Sequence, residues 1–252
     1  MPAKELSTIW GVYRRILSPG ITPMTTYDTA NIHVVIAAYN EAAMIARVVG
    51  EVRRAGYQVV VVDDGSRDAT AHMAKTAGAT VIAHPFNLGQ GAALQSGIDF
   101  VLQNGAEVIV TFDADGQHSP ADIGPLTEAL ASENADFALG SRFLGQSSNI
   151  PPTRHLLLKA ATLFTRLTTG LQLTDAHNGL RAMTRRGAAA IRLRQNRMAH
   201  ASELLAQIGA SGLRYVERPV TIRYTAYSMA KGQKTSDSVG ILLDLAARAL
   251  YR

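Results

Sequence analysis

The 252-residue chain contains no cysteine and few aromatic residues. Without cysteine it can form neither disulfide bonds nor thiolate metal sites, so any metal ion must be bound by oxygen or imidazole ligands. Aromatic residues make up 6% of the chain and do not alternate with basic ones, as they do in many proteins that stack on nucleic-acid bases. We therefore expect no nucleic-acid partner.

The sequence also lacks a long hydrophobic run. No segment approaches the ~20 apolar residues that a membrane-spanning helix requires, and residues 1–28 lack the apolar core of a secretion signal. We expect a cytoplasmic protein that is soluble or peripheral on the inner face of the membrane. A net charge of +5 and a pI of about 9.6 favour an anionic partner, either a phosphorylated substrate or an anionic membrane surface.

Short β-prone runs alternate with amphipathic segments between residues 32 and 140, which predicts an α/β fold with a mainly parallel sheet flanked by helices. The length favours a single domain. Ligands of such sheets bind beyond the carboxyl ends of the strands, so functional residues are expected there. The predicted strands are Ile32–Ala37, Gln58–Val62, Thr80–Ala83, Glu107–Phe112 and Phe137–Gly140.

Two aspartates follow the fourth predicted strand. Asp113 and Asp115 are spaced i, i+2, which turns both carboxylates to one face of an extended backbone. Such a pair at a cleft suits a divalent ion, Mg²⁺ or Mn²⁺, that bridges a diphosphate. The alternative is that these acids merely end the strand or cap the next helix, although Ser119, Pro120 and Asp122 already provide the usual residues of a helix start.

Polar residues also follow the first and second predicted strands, in Ala38-Tyr39-Asn40-Glu41 and Asp63-Asp64-Gly65-Ser66. Because the carboxyl ends of parallel strands meet in one crevice, these residues would lie beside the base and ribose of a nucleotide. The alternative is a strand-to-helix turn, in which Gly65 supplies a permissive backbone and Asn40 or Asp68 caps a helix. Both interpretations can hold at once.

The segment Asn87–Ala93 places Gly89 and Gly91 before a predicted helix. It lacks the third glycine of a dinucleotide-binding fingerprint and follows the third strand instead of the first, which argues against a dehydrogenase. The two glycines would let the backbone approach an anionic ligand at a helix N-terminus, and an ordinary loop is the alternative.

Charged residues in the second half of the chain suggest further contacts. Arg142 and Arg181 each lie near a glycine and are candidates for pairing with phosphate, although surface arginines are often only solvated. Glu203 is the single acid of an otherwise apolar helix, so we expect it either to pair with an arginine or to face the cleft. His177 and His200 lie in polar settings near the expected cleft.

Five short motifs occur in order: Ala38-Tyr39-Asn40-Glu41, Val62-Asp63-Asp64-Gly65-Ser66, Asn87-Leu88-Gly89-Gln90-Gly91-Ala92-Ala93, Asp113-Ala114-Asp115-Gly116-Gln117-His118 and Gly140-Ser141-Arg142-Phe143. This ordered set resembles family 2 glycosyltransferases of the GT-A fold, most of all the dolichyl- and polyprenyl-phosphate sugar synthases. The resemblance covers roughly residues 31 to 235. Ala37, Gln90 and His177-Asn178 depart from the usual pattern of that branch.

The resemblance implies a glycosyltransferase domain over residues 31–235, with a nucleotide-sugar-binding half (31–140) and an acceptor half (141–235). An N-terminal extension (1–30) precedes it and a C-terminal amphipathic helix (236–252) follows. Asp113, Asp115 and Gln117 are the implied metal ligands, and Glu203, or else Asp175, is the candidate base for a hydroxyl acceptor. The candidate contacts to the nucleotide sugar are Ala38, Tyr39, Glu41, Asp63, Asp64, Gly89, Gly91, Asp113, Ala114, Arg142 and Arg181.

We therefore expect an inverting, metal-dependent glycosyltransferase that moves a sugar from a nucleotide-diphosphate sugar to a polyprenyl phosphate or a lipid-linked glycan, in cell-envelope polysaccharide or glycoconjugate synthesis. Two alternatives stay open: a sugar-1-phosphate nucleotidyltransferase, and a non-catalytic lipid- or glycan-binding module. The helix predicted over Leu156–Leu171 and the C-terminal helix combine apolar and basic residues, as helices on anionic membranes do. Packing in the core or in a homodimer is the alternative for both helices.

Overall fold

The computed structural model describes residues 27–145, 152–195, 199–223 and 227. They form one mixed sheet with helices on both faces, which confirms the predicted fold class. The strands are β1 (Ile32–Ala38), β2 (Gln58–Asp63), β3 (Thr80–Ala83), β4 (Val108–Asp113), β5 (Phe137–Ser141), β6 (Arg181–Thr184) and β7 (Tyr215–Pro219). The helices are α1 (Ile45–Arg54), α2 (Thr70–Thr76), α3 (Gln90–Gln103), α4 (Ile123–Ser132), α5 (Pro152–Thr169), α6 (Arg185–Ala189) and α7 (Ala199–Ser211).

The strand order of the sheet is β3-β2-β1-β4-β6-β5-β7. β1 pairs in parallel with β2 and with β4, while β6 runs antiparallel to both β4 and β5. The carboxyl ends of β1, β2 and β4 therefore lie side by side at one edge of the sheet, where Ala38 aligns with Asp63 and Ala37 with Asp113. This register brings the polar residues that follow the three strands together.

Alternate residues of the central strands pack against helices on opposite faces. Val34 and Ile36 of β1 belong to a core shared with α1 and α4, whereas Val35 belongs to a second core shared with α3 and α7. On α1 the buried residues Ile45, Val48, Val49 and Val52 form one stripe along the helix, which is the pattern expected of a helix that covers a sheet. Because the sheet is covered on both sides, its central strands β1, β2 and β4 are largely apolar.

The five predicted strands are confirmed to within one residue at each end. The antiparallel strand β6 was not predicted, because its four residues, which begin with Arg181, show neither an apolar run nor a clear alternation. The prediction that Ser119 caps the helix after Asp115 is wrong. Ser119 makes no side-chain capping bond, and Asp122 instead accepts a hydrogen bond from the amide of Thr221 at 2.8 Å. The predicted C-terminal helix and most of the N-terminal extension lie outside the described residues.

Within the described residues, none of the helices combines the length and the apolar character needed to cross a bilayer.

Candidate active site

A cavity of about 460 Å³ opens at the carboxyl ends of β1 and β4. Its wall brings together nine of the residues singled out in the sequence. They are Ala38, Tyr39, Glu41, Asp64, Gly89, Asp113, Ala114, Asp115 and Arg181. The strand register explains this convergence, since each segment follows a neighbouring parallel strand or, for Arg181, begins the strand beside β4. His177 and His200 lie on the same wall.

Asp113 ends β4 and about a third of its side chain is exposed to the cavity. Its Oδ2 lies 2.9 Å from Nε2 of His118, a residue that is itself buried. Burial alone would raise the pKa of Asp113, but the hydrogen bond and charge of His118, together with the charge of Arg181, outweigh it and hold that pKa below its usual value. Asp113 is therefore an ionised acceptor at neutral pH.

Asp115 lies two residues further along and its Oδ1 accepts a hydrogen bond of 3.0 Å from the amide of Gln117. Burial, followed by the negative charge of Asp113, raises the pKa of Asp115 to about 6. A carboxyl group whose ionisation is opposed by a neighbouring carboxylate fits a divalent cation, because a cation would neutralise both. The donor set is thus suitable for Mg²⁺ or Mn²⁺.

The protein supplies only part of a coordination sphere. No group of three or more His, Asp or Glu side chains that could hold a metal occurs in the part of the chain that the structure describes. Gln117 is absent from the cavity wall and its carbonyl oxygen accepts the amide of Arg223 at 2.9 Å. Since Mg²⁺ is commonly bound through one or two carboxylates with substrate phosphates and water, the Asp113–Asp115 pair fits a metal that arrives with a diphosphate.

Arg181 is the cation on the cavity wall. Its side chain is buried and makes no hydrogen bond or ion pair with any other described residue. Burial lowers its pKa, whereas the charges of Asp113 and Asp175 act in the opposite direction. A buried guanidinium that points into a cavity without a partner is a ready site for an anion, and its planar fork matches phosphate.

Arg142 has a different environment from the one expected. Its Nε lies 2.6 Å from Oδ2 of Asp175, and its Nη2 donates to the carbonyl oxygen of His177 at 2.7 Å. Asp175 also accepts the amide of His177 at 3.1 Å. Arg142 and Asp175 are both buried and neither lines the cavity. The pair therefore holds the loop that carries His177 instead of facing a ligand directly.

Of the two acidic residues after β2 and the two glycines before α3, one of each lines the cavity: Asp64 and Gly89. Asp64 accepts the amide of Leu88 at 2.9 Å and that of Gly89 at 2.7 Å. Asp63 is buried outside the wall, and Gly91 packs against the carbonyl of Gln195 and the side chain of His200. The turn interpretation of Asp63-Asp64-Gly65-Ser66 is supported by the amide of Ser66, which donates to Oδ1 of Asp63 at 3.4 Å, and by Gly65 with φ of 71°, while Asp64 lines the cavity.

The structure does not place Glu203 in either of the two expected settings, beside an arginine or facing the cleft. Its carboxylate pairs with no arginine side chain among the described residues, and it does not line the cavity. Its Oε2 instead accepts the amides of Arg194 at 2.9 Å and of Gln195 at 2.8 Å. The cost of a partly buried carboxylate is thus met by backbone donors. Both candidate bases, Glu203 and Asp175, are therefore bound to other groups outside the cavity.

The structure adds site residues that the sequence analysis did not single out. The hydroxyl of Thr111 lines the cavity and donates to the carbonyl of Gly179 at 2.7 Å. The phenol of Tyr227 donates to Oε2 of Glu41 at 2.8 Å. Thr111 lies two residues before Asp113 on the same strand and thus on the same face, so this alternation was a usable signal. No local pattern connects Tyr227 with Glu41, which lies 186 residues away.

Comparison with known proteins gives a consistent result. The model of the family described as "Glycosyl transferase family 2" matches residues 33–192. An uncharacterized protein of Methanocaldococcus jannaschii is 35% identical over 87% of this chain and 93% of its own length. The UDP-N-acetylglucosamine–dolichyl-phosphate N-acetylglucosaminyltransferase of Methanococcus voltae is 32% identical over 80% and 89%, respectively. The polyprenol monophosphomannose synthase of Mycolicibacterium smegmatis is 36% identical over 66% of each chain.

Among solved structures, glucosyl-3-phosphoglycerate synthase from Mycobacterium tuberculosis in complex with Mn²⁺, uridine diphosphate and phosphoglyceric acid is similar in fold. The TM-score is 0.64 at 19% identity, over 86% of this chain and 78% of that chain.

Proposed function

The chain belongs to glycosyltransferase family 2, and from that premise we propose that it transfers a sugar from a nucleotide-diphosphate sugar to a polyprenyl phosphate, with inversion and with Mg²⁺ or Mn²⁺ as cofactor. Two relatives support the acceptor class, because one is named for dolichyl phosphate and the other for the synthesis of a polyprenol monophosphomannose. We assign the nucleotide sugar to residues 31–140 and the acceptor to residues 141–235. Family membership argues against the nucleotidyltransferase alternative.

The observation that carries the proposal is the cluster of Asp113, Asp115 and Arg181 on one cavity wall. Negative charge develops on the leaving diphosphate as the bond to the sugar breaks. A divalent cation bound by the two carboxylates would stabilise that charge, an effect worth several kcal/mol. Arg181 would hold a phosphate oxygen by two parallel hydrogen bonds. Tyr39 and Glu41, which follow β1 and line the cavity, would contact the nucleoside.

The surroundings of the candidate bases favour a phosphate acceptor. A hydroxyl nucleophile needs a base that removes its proton, whereas a lipid phosphate is already ionised. The carboxylates of Glu203 and Asp175 are both held by other donors away from the cavity, at 2.8 and 2.6 Å for their shortest bonds. We therefore propose that neither acts as a base and that the acceptor attacks as an anion.

The exposed face of α5 provides a place for the membrane that holds such an acceptor. Leu156, Leu163 and Leu167 are 71%, 56% and 78% exposed. They share one side of the helix with the exposed Lys159, and we call these four residues the leucine stripe. An exposed apolar stripe with a lysine matches an anionic bilayer surface, where leucines enter the acyl boundary and the ammonium remains among headgroups.

The proposal is tested by incubating the full chain with uridine and guanosine diphosphate sugars, polyprenyl phosphate and Mn²⁺, and measuring the sugar-bearing lipid. We expect turnover that chelation abolishes. Asp113→Asn and Asp115→Asn should each reduce it about 100-fold or more, as should Arg181→Met. Asp99→Asn, which removes a surface carboxylate 3.1 Å from Arg192, is the matched control and should retain activity. Full activity of Asp113→Asn, or transfer that survives chelation, would refute the metal role.

A further inference from the structure

Three side chains form a chain of hydrogen bonds behind the cavity wall. Nδ1 of His84 lies 2.8 Å from Oδ1 of Asp64, and Nε2 of His84 lies 3.0 Å from the hydroxyl of Ser96. Asp64 follows β2, His84 follows β3 and Ser96 lies on α3. The side chains of His84 and Asp64 are 8% and 3% exposed. One imidazole thus connects three consecutive elements of the fold.

The bonding pattern fixes the direction of the hydrogen bond between His84 and Asp64. An ionised carboxylate only accepts, so Nδ1 of His84 carries the proton that is donated to Asp64. In the neutral ring Nε2 is then the acceptor, and the hydroxyl of Ser96 donates to it. Because both ring nitrogens are used, the ring orientation is set by partners on two sides.

Asp64 connects His84 to the backbone of the cavity wall. Its Oδ1 is shared by His84 and the amide of Leu88, and its Oδ2 accepts the amide of Gly89. Gly89 lines the cavity, directly before α3, with φ of 97°. Glycine adopts this left-handed region at little cost, but its backbone is also free to leave it, so hydrogen bonds from other residues are needed to keep Gly89 in one conformation. The carboxylate supplies those bonds.

The order of contacts is that of a serine hydrolase triad, yet the surroundings argue against that chemistry. Ser96 lies within α3, where backbone amides are already bonded to carbonyls of the preceding turn. No pair of amides there is free to stabilise an oxyanion. The Asp64 carboxylate is moreover shared with two backbone amides.

We propose that His84 and Ser96 are positioning residues for nucleotide binding. They hold the Asp64 carboxylate, which in turn orders the backbone of Leu88 and Gly89 on the cavity wall. The inference rests on the proposed function, because it takes a nucleoside diphosphate as the ligand of that wall. It adds two residues that do not line the cavity to the set that determines donor affinity.

The test uses the full chain and four variants. His84→Ala removes both bonds, Ser96→Ala removes one, and His84→Asn keeps a donor near the position of Nδ1. His72→Ala, on the exposed side of α2, is the control. The first measurement is hydrogen exchange at the amides of Leu88 and Gly89 without ligand. The second is the Kd for uridine and guanosine diphosphate with Mn²⁺, together with KM and kcat for the donor.

We expect amide exchange in His84→Ala to be at least tenfold faster than in the unchanged protein. Donor KM and nucleotide Kd should rise about tenfold while kcat changes less than threefold, because ground-state binding is lost. His84→Asn should recover most of the affinity, Ser96→Ala should be intermediate, and His72→Ala should match the unchanged protein. If His84→Ala does not fold, Ser96→Ala carries the same comparison.

Unchanged exchange in a folded His84→Ala would overturn the inference. Faster exchange with unaltered Kd and KM would overturn it as well. If the unchanged protein binds no nucleoside diphosphate, the proposed function fails instead. Faster exchange in His84→Ala would then still support the ordering of the backbone by Asp64.

Discussion

Nε2 of His118 lies 2.9 Å from Oδ2 of Asp113, and the imidazole stands edge-on to the ring of Phe112 with centroids 5.3 Å apart. His118 also forms a β-bridge with Ile222, which fixes its backbone. The carboxylate of Asp113 is therefore held by a buried ring whose own position is set by Phe112 on one side and by the pairing with Ile222 on the other. His118 is buried, so it is not the exposed histidine that its position before a helix would suggest.

His118→Leu should weaken the use of metal. The carboxylate of Asp113 would lose the donor that orients it, and losing such an outer partner typically costs about 10- to 100-fold in metal affinity or activity. His118→Gln, whose amide can reach a similar position, should lose less. The measurement is the Mn²⁺ concentration that gives half-maximal transfer. His72→Leu is the control, and an unchanged value in His118→Leu would contradict the role.

Gly179→Ala should inactivate the protein while leaving it folded. A methyl group added at Gly179 would overlap the carboxylate of Asp113, so that carboxylate would have to turn away from its present position. We expect transfer to fall about 100-fold, comparable to removal of a group that stabilises the leaving charge. Thermal unfolding should change little.

Gly50→Ala on α1 is the matched control, because a methyl there would meet only the side chain of Arg54 at 3.6 Å. It should leave transfer unchanged. Retention of full activity in Gly179→Ala would show that Asp113 can move without consequence.

The sheet and its carboxyl-end residues were predictable because they depend on local patterns. Apolar runs such as that of β2 are long enough to identify a strand, and the parallel arrangement then requires that Asp64 and Asp113 lie near one crevice. Thr111 could have been added by the same alternation. These features depend on the period of the backbone and on the topology, both of which can be inferred from sequence.

The bonds that support the site depend on residues far apart in the chain. Arg142 and Asp175 are 33 residues apart, and Asp64 and His84 are 20 apart. Whether an arginine faces a phosphate or a carboxylate depends on which loop folds over it, and no local signal encodes this. For the same reason Glu203 was expected either to pair with an arginine or to face the cleft, although the backbone amides of Arg194 and Gln195 bind it.

His177 should make the protein sensitive to mild acid. Burial, assisted by the positive charge of Arg142, lowers the pKa of His177 to about 4 from an unfolded value of 6.5. The unfolded chain thus binds a proton that the folded protein excludes between these values. Stability is complete above pH 6.5 and is lost as the pH falls toward 4, by up to about 3 kcal/mol.

The comparison that isolates this contribution is His177→Gln. Its free energy of unfolding, measured by urea denaturation from pH 7 to pH 4, should fall less steeply than that of the unchanged protein. Other acids titrate in both proteins and cancel in the difference. His72→Gln should keep the original slope, and parallel curves for His177→Gln would contradict the assignment.

The leucine stripe of α5 should bind anionic vesicles. Two single variants test this: Leu163→Glu and Leu167→Glu. Each removes apolar area worth about 1.5–3 kcal/mol when buried in the acyl boundary, and each adds repulsion from acidic headgroups. We expect co-sedimentation with vesicles of phosphatidylglycerol and phosphatidylcholine to fall at least tenfold.

Thr168→Glu adds the same charge to an exposed position on another side of α5 and is the matched control. Binding by the unchanged protein should weaken with salt, because Lys159 contributes through charge. If Leu163→Glu and Leu167→Glu each bind vesicles as tightly as Thr168→Glu, the leucine stripe is not the membrane surface, and its leucines must be covered by another partner.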